Sequence, residues 1–279
     1  MRLSDTLVIV RGAGALGSGA ALRLARAGFT VMLTELAQPL TLWRGAALAE
    51  AVYAGQVAVE DLTARLADDP MLGLAYTVMG ELPLVVDLTD DVASRMRPGI
   101  LVDARPAPRR PPARRNDAKL VIGLGPGFTA GDDCHAVVET QPGRGLGRVY
   151  WEDGAAEPQP GDGACLLRAP SDGVFHSQKN IGDAIYAGEA FGGVEGQAIT
   201  AGQGGVLTGL LHDGVPVAAG MTVAAVDPQA APDDCFQVSE QARAVGGGVL
   251  EAILAGINLW TEPEEDRDEF IPSPPSSLL

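Results

Sequence analysis

LVIVRGAGALGSGAALRLARAGFTVMLTE, residues 7–35, decides the fold class of this chain. An apolar run at 7–10 ends at Arg11 and breaks into GAGALGSG, in which Gly12, Gly14 and Gly17 match the pattern G-x-G-x-x-G. Residues 16–27 then read as a helix with Leu16, Ala20, Leu24 and Ala27 on one face, residues 30–34 as the next strand, and Glu35 closes that strand. Strand, glycine turn, helix, strand and acid in this order predict a Rossmann-like unit. Its glycines permit a tight turn and backbone approach to a phosphate, the helix amino terminus faces the charge, and the acid lies near a ribose. The alternative is a scaffold of the same type whose first turn only packs.

Further short apolar runs at 84–87, 100–103 and 120–122 fit parallel strands covered on both faces. Glu35, Asp87, Asp103 and the loop after residue 122 then fall at strand carboxyl ends, the edge where open α/β sheets bind ligands. That loop lies in LVIGLGPGFTAGDDCHAVVET, residues 120–140, and carries Gly123, Gly125 and Gly127. Glycines spaced by two let consecutive N–H groups converge on an anion. Thr129, Asp132, Asp133 and His135 follow, and a second apolar segment (Ala136, Val137, Val138) ends on Glu139. The two glycine loops are expected to face one crevice; a solvated turn is the alternative for the second. RPAPRRPPARR, residues 105–115, places five arginines (Arg105, Arg109, Arg110, Arg114 and Arg115) among prolines. Proline forbids regular structure there, so the segment reads as an extended loop, either a clamp for phosphates or a solvated balance to an acidic surface. Arg105, nearest the strand end, is the best-placed candidate.

Residues 168–228 contain an internal repeat. Ala169, Gly173, Val174, Gly182, Ile185, Gly188 and Val194 recur as Ala201, Gly205, Val206, Gly214, Val217, Gly220 and Val226, always 32 residues on. Short strands at regular turn spacing, duplicated once, read as two β units related by a pseudo-two-fold. The pattern resembles the barrel-sandwich hybrid of biotinyl and lipoyl carrier domains. Their modified lysine sits on the hairpin joining the halves, whereas the junction here, GGVEGQAIT at 192–200, has no lysine and Lys179 lies within the first half. A docking module or spacer is therefore expected rather than a swinging arm. Residues 235–256 resume a helical period through Val238, Ala242, Val245, Val249 and Ile253, interrupted by Gly246, Gly247 and Gly248. Either the helix breaks there or another backbone packs against it. The resulting expectation is an α/β fold: a Rossmann-like parallel-sheet domain at 1–164, a barrel-sandwich-hybrid β module at 165–230, a C-terminal helix at 231–260 and a disordered acidic, Pro/Ser-rich tail at 261–279.

A net charge of −16 opposes a nucleic-acid partner, because phosphate backbones need a basic surface. Three scattered cysteines (Cys134, Cys165 and Cys235) with no CxxC pair fit a reducing cytosol. No stretch reads as a signal peptide or a membrane span, so the expected location is cytoplasmic and no membrane partner is expected. Neither a zinc-type Cys/His cluster nor a spacing motif for magnesium among Asp87, Asp103, Asp132 and Asp133 is present, and no metal is assigned. A homo-oligomer is compatible with the sequence.

RGAGALGSGAALRL, TELAQP, EAVYAGQVAVE, VDAR, VIGLGPGFTAGDDCHAVVET, LGRV, RAPSDGVF and CFQVSEQARAVGGGVLEAIL together resemble the selenium-dependent molybdenum hydroxylase system proteins (YqeB-like), from about residue 6 to residue 256. The resemblance implies a cytosolic accessory protein of molybdenum hydroxylases of the xanthine dehydrogenase type, acting in maturation through cofactor handling or selenium delivery, with the apo-hydroxylase as partner. Departures from the family pattern stand at Ala15, where an aspartate is usual, at Trp43 and Arg44 in place of paired arginines, at Pro142, Gly143 and Arg144 in place of Arg-Gly-His, and at Cys134 in place of an aliphatic residue. No catalytic role passes to Ala15 or Arg144.

Three functions follow. In the first, a maturation factor binds a phosphate-bearing ligand, molybdopterin cofactor or a nucleotide. Gly12, Gly14, Gly17, Gly123, Gly125 and Gly127 supply N–H groups, Arg44 and Arg105 supply charge, and Glu35, Asp103 and Thr129 complete the site. His135 is a candidate for moving a proton near neutral pH. Cys134 as a sulfur or selenium carrier is opposed by its neighbours Asp132 and Asp133. The second is an NAD(P)-dependent oxidoreductase, for which the fingerprint and Glu35 speak but no proton donor is evident. The third is a non-enzymatic assembly chaperone in which the sheet is only a scaffold.

Overall fold

The structure, a computed structural model, describes residues 3–106, 113–154 and 165–257. Arg109, Arg110 and the acidic tail lie outside the described residues. The chain begins β1 (Leu7–Arg11), α1 (Ala15–Arg26), β2 (Thr30–Glu35), the unit read from the opening motif. It continues through α2 (Ala51–Ala54), the hairpin β3 (Gln56–Val59) and β4 (Leu62–Ala67), then α3 (Pro70–Val78), β5 (Leu82–Val86), α4 (Val92–Met96) and β6 (Ile100–Asp103). β7 (Leu120–Leu124), β8 (Thr129–Ala130), β9 (Ala136–Val138) and β10 (Val149–Tyr150) follow. Nine of these strands form one sheet in the order β10-β9-β7-β6-β1-β2-β5-β4-β3. The seven central strands run parallel, and β10 and β3 close the two edges antiparallel.

Alternation along the strands sorts the side chains. Val8, Val10, Ile100, Val102, Leu120 and Ile122 face the layer of α1 and the C-terminal helix α5 (Glu240–Gly256). Ile9, Leu101 and Val121 face the other side, against Val92, Ala93 and Phe128. Both faces are covered, which is why these strands read as continuously apolar.

α5 runs unbroken through Gly246–Gly248 because another backbone does pack against it. A Cβ on Gly246 would lie 2.6 Å from the Gly19 carbonyl oxygen, and one on Gly248 would lie 2.2 Å from that of Gly147. The reciprocal contact is Gly19, whose Cβ would meet the Ala242 oxygen at 2.4 Å. The helix starts on Ser239, whose hydroxyl accepts the Ala242 N–H at 3.1 Å.

β11 (Asp153–Gly154) pairs with β8. The repeat then forms two four-stranded sheets from β12 (Cys165–Arg168), β13 (Gly173–Ser177), β14 (Ala184–Ile185), β15 (Ala190–Val194), β16 (Gln197–Thr200), β17 (Gly205–Leu210), β18 (Pro216–Val217) and β19 (Thr222–Asp227). The sequence offset of 32 residues carries over into pairing. Phe175 pairs with Val194 as Leu207 pairs with Val226, and Gly173 pairs with Val217 as Gly205 pairs with Ile185. Its turn glycines match as well: Gly188 and Gly220 have φ of 80° and 79°. Their left-handed backbone explains why glycine recurs at these positions. The hairpin joining the halves turns on Glu195 and Gly196. The two parts of the molecule meet where Leu210 donates its N–H to the Leu42 carbonyl at 2.8 Å.

Candidate functional site

β1 and β6 lie side by side, but the chain leaves β1 toward β2 and leaves β6 toward β7. Their carboxyl ends therefore border a topological switch point. Gly12, Gly14 and Gly17 are assembled here. Gly12 is left-handed (φ 87°), and a Cβ on Gly17 would lie 1.8 Å from the Gly12 oxygen, so the tight turn requires both glycines. Gly14 caps α1 in an extended conformation with no side-chain hydrogen bond. The first N–H groups of such a helix have no intrahelical acceptor. Glu35 reaches into this turn: Oε2 accepts the Ala13 N–H at 2.7 Å and Oε1 accepts the Leu36 N–H at 2.8 Å. Burial raises its pKa, partly offset by those two N–H donors and by Arg105.

Asp103 and Arg105 join the same edge as parts of a charge chain. Arg105 donates from Nε to Asp103 Oδ1 at 2.9 Å and from Nη2 to Asp103 Oδ2 at 2.7 Å, and its Nη1 reaches Asp90 Oδ2 at 3.1 Å. Arg11 extends the chain, with Nε 3.2 Å from Asp90 Oδ1 and Nη1 3.2 Å from Asp117 Oδ2. Burial works against the Arg105 charge, but Asp103 and Asp90 outweigh it and hold the guanidinium protonated. Arg105, expected to clamp a phosphate, is thus already bidentate on Asp103. Arg11, Asp90 and Asp117 were not read as candidates from the sequence. The available signal was an arginine two residues after Ile9 on a strand covered on both faces, a place where a cation requires buried acids.

The second glycine loop serves packing at two of its three glycines. A Cβ on Gly123 would fall 2.3 Å from Phe128 Cγ, and one on Gly125 would fall 2.5 Å from Thr140 Oγ1. The Gly125 N–H donates to the Val138 carbonyl at 2.9 Å, while Gly127 is exposed and left-handed (φ 82°). Thr129 is exposed, and its N–H donates to Asp133 Oδ1 at 2.8 Å. His135 lies beside Val121 at the start of β7, the end opposite Gly125. Its Nδ1 accepts the Val121 N–H at 2.9 Å. Burial, helped by the Arg115 charge, lowers its pKa to about 4, so the expected titration near neutral pH gives way to a neutral imidazole. Cys134 is fully buried, and burial with the Asp133 charge raises its thiol pKa well above the ordinary value.

Arg44 is likewise committed elsewhere. Its Nε donates to the Leu210 carbonyl at 3.0 Å and its Nη1 pairs with Glu50 at 3.3 Å, tying the sheet to β17. His212 stacks on Tyr53 at 3.8 Å in the same junction. The structure thus gathers Gly12, Gly14, Gly17, Glu35, Asp103 and Arg105, and leaves Arg44, Thr129 and His135 outside that group. Among the described residues no cluster of His, Cys, Asp or Glu is arranged to hold a metal ion, and no helix is long and apolar enough to cross a membrane.

No protein-family model matches the chain. Over 255 residues it is 38% identical to the uncharacterized protein YqeB of Escherichia coli strain K12, a similarity covering 89% of this chain and 47% of that protein. The chain spans about half the length of the curated relative it matches. Among solved structures, TcdA (CsdL) shares 20% identity at a TM-score of 0.29, over 44% of this chain and 50% of that one. An aspartoacylase family protein from Mesorhizobium loti shares 12% identity at a TM-score of 0.26, over 80% and 85% of the two chains. Superpositions this loose carry no argument about this chain.

Proposed function

We propose that this protein is an accessory factor in molybdenum hydroxylase maturation that holds a phosphate-bearing ligand, molybdopterin cofactor or a nucleotide, at the amino end of α1. In this reading the Rossmann-like domain spans residues 1–164, a barrel-sandwich hybrid that docks the apo-hydroxylase spans 165–230, and α5 is the closing helix. The family resemblance supplies the pathway, including cofactor handling or selenium delivery in the cytoplasm. The observation that carries the site is the cap of α1: Gly14 offers backbone alone, at a switch point, where the helix dipole favours an anion. Glu35, with its pKa raised, takes up a proton more readily beside such an anion.

Gly14→Asp tests the reading. Gly14 has φ −65°, and its Cβ would meet only Thr41, at an ordinary 3.5 Å. Aspartate fits there, caps the helix and puts its own carboxylate where the ligand's phosphate belongs. Native mass spectra are taken with molybdopterin cofactor, common nucleotides and NAD(P). The expected result is retention of cofactor or nucleotide by the wild type and loss in Gly14→Asp, whose melting temperature is not lowered. Equal retention by both proteins, or none by the wild type, overturns the site; retention of NAD(P) alone points to hydride transfer instead.

A further inference from the structure

On the sheet face away from α1 and α5, a cavity of about 700 Å³ lies between α4, the end of β1 and residues 114–119. Arg11 lines it with a side chain only 4% exposed. Its Nη1 hydrogen-bonds Asp117, but its buried Nε makes no hydrogen bond, although Asp90 Oδ1 is 3.2 Å away. Three exposed cations, Arg97, Arg114 and Lys119, line the same cavity. Among the described residues none of the three has its side chain in an ion pair, so their charge is not already spent on a neighbouring carboxylate.

Among the described lining residues, four cations stand against two carboxylates, Asp90 and Asp117, an excess of two positive charges in a chain of net charge −16. The concentration of cations is therefore opposite to the charge of the molecule as a whole. Two unbalanced charges with guanidinium forks among them match a phosphate monoester, which carries close to two negative charges at neutral pH and accepts paired N–H donors. The volume falls within the range of small-molecule sites, roughly 300–1,000 Å³, and exceeds what a bare phosphate fills. We infer that this cavity binds a phosphorylated small molecule, with Arg11 at its buried wall and Arg97, Arg114 and Lys119 holding the dianion. This site is separate from the amino end of α1, and it stands whether or not that end binds a ligand.

Calorimetric titration of the full chain with ribose 5-phosphate, inorganic phosphate and succinate at low salt tests the inference. The sugar phosphate is expected to bind saturably and more tightly than inorganic phosphate or succinate. Arg97→Gln combined with Lys119→Gln, both exposed, should weaken it by roughly tenfold or more, and Arg114→Gln should weaken it further. Gly14→Asp should leave the titration unchanged, which separates this site from the one at α1. Absence of saturable binding, equal affinity for succinate, an unaltered titration in the double variant, or loss in Gly14→Asp would each overturn it.

Discussion

Glu35 Oε2 accepts the N–H of Ala13 at 2.7 Å, so the glycine turn that begins α1 already carries a carboxylate from the second strand. The acid that the motif places near a ribose is turned inward onto the turn itself. Burial raises the pKa of this group above its ordinary 4.5. The folded protein then holds the proton to higher pH than the unfolded chain does. Its stabilising contribution is fully present below about pH 4.5 and is lost as pH rises through the folded value. Urea melts of the wild type and Glu35→Gln at a series of pH values from about pH 4.5 upward should therefore show the wild type losing stability relative to the variant as pH rises. A constant difference would mean that Glu35 titrates normally.

Adjacent glycines in α5 should respond in opposite directions to the same substitution. Nothing lies within 4 Å of a Cβ on Gly247, so Gly247→Ala should stabilise by about 1 kcal/mol, the ordinary helix preference. At Gly248 the added carbon would lie 2.2 Å from the Gly147 oxygen and 2.7 Å from Val138 Cγ1. Backbone cannot yield as a side-chain end can, so Gly248→Ala should destabilise by roughly 1–3 kcal/mol. Thermal melts followed by circular dichroism decide it; two shifts of the same sign would refute the packing account.

The periodic parts of this fold were legible in the sequence because burial imposes them locally. The opening strand–turn–helix–strand and the apolar runs at β5, β6 and β7 lie close to where patterning placed them. The repeat was legible as well, since β12–β15 reappear as β16–β19 at the offset of 32, with strand ends agreeing to within one residue. The β3–β4 hairpin was missed: QVAVEDLTARLA has polar residues on an edge that one face leaves solvated. The candidate site was less legible because contacts distant in sequence decide it. Nothing near Arg105 announces Asp90, and nothing near Gly123 announces that its glycine makes room for Phe128 rather than for a ligand. His135 illustrates the same limit. It follows the second glycine loop by a few residues, yet the loop crosses the sheet and leaves it at the opposite strand end.

Thiol reactivity should separate the three cysteines. Thiolate is the reactive form, so burial protects both by exclusion and by raising the pKa. Cys134 is fully buried with its pKa raised by burial and Asp133, and Cys235 is buried with a raised pKa from burial and Asp234. Cys165 is only half-buried. Iodoacetamide labelling of the native protein, read by peptide mass spectrometry, should modify Cys165 first and Cys134 only on unfolding. Early labelling at Cys134 would restore it as a sulfur or selenium carrier.

His135 should stay neutral at physiological pH. Burial, with the Arg115 charge second, lowers its pKa from 6.5 to about 4. The unfolded chain then takes up a proton before the folded one does, so stability present above about pH 6.5 is lost as pH falls toward 4. Nδ1 accepts the Val121 N–H, which leaves the proton of the neutral ring on Nε2. Nitrogen-detected NMR should find that tautomer persisting well below pH 6.5, and His135→Asn, whose side-chain oxygen can still accept from Val121, should lose less stability on acidification than the wild type. A midpoint near 6.5 would return His135 to the list of groups able to move a proton at neutral pH; a midpoint near 4 makes it a fastening between the start of β7 and the residue before β9.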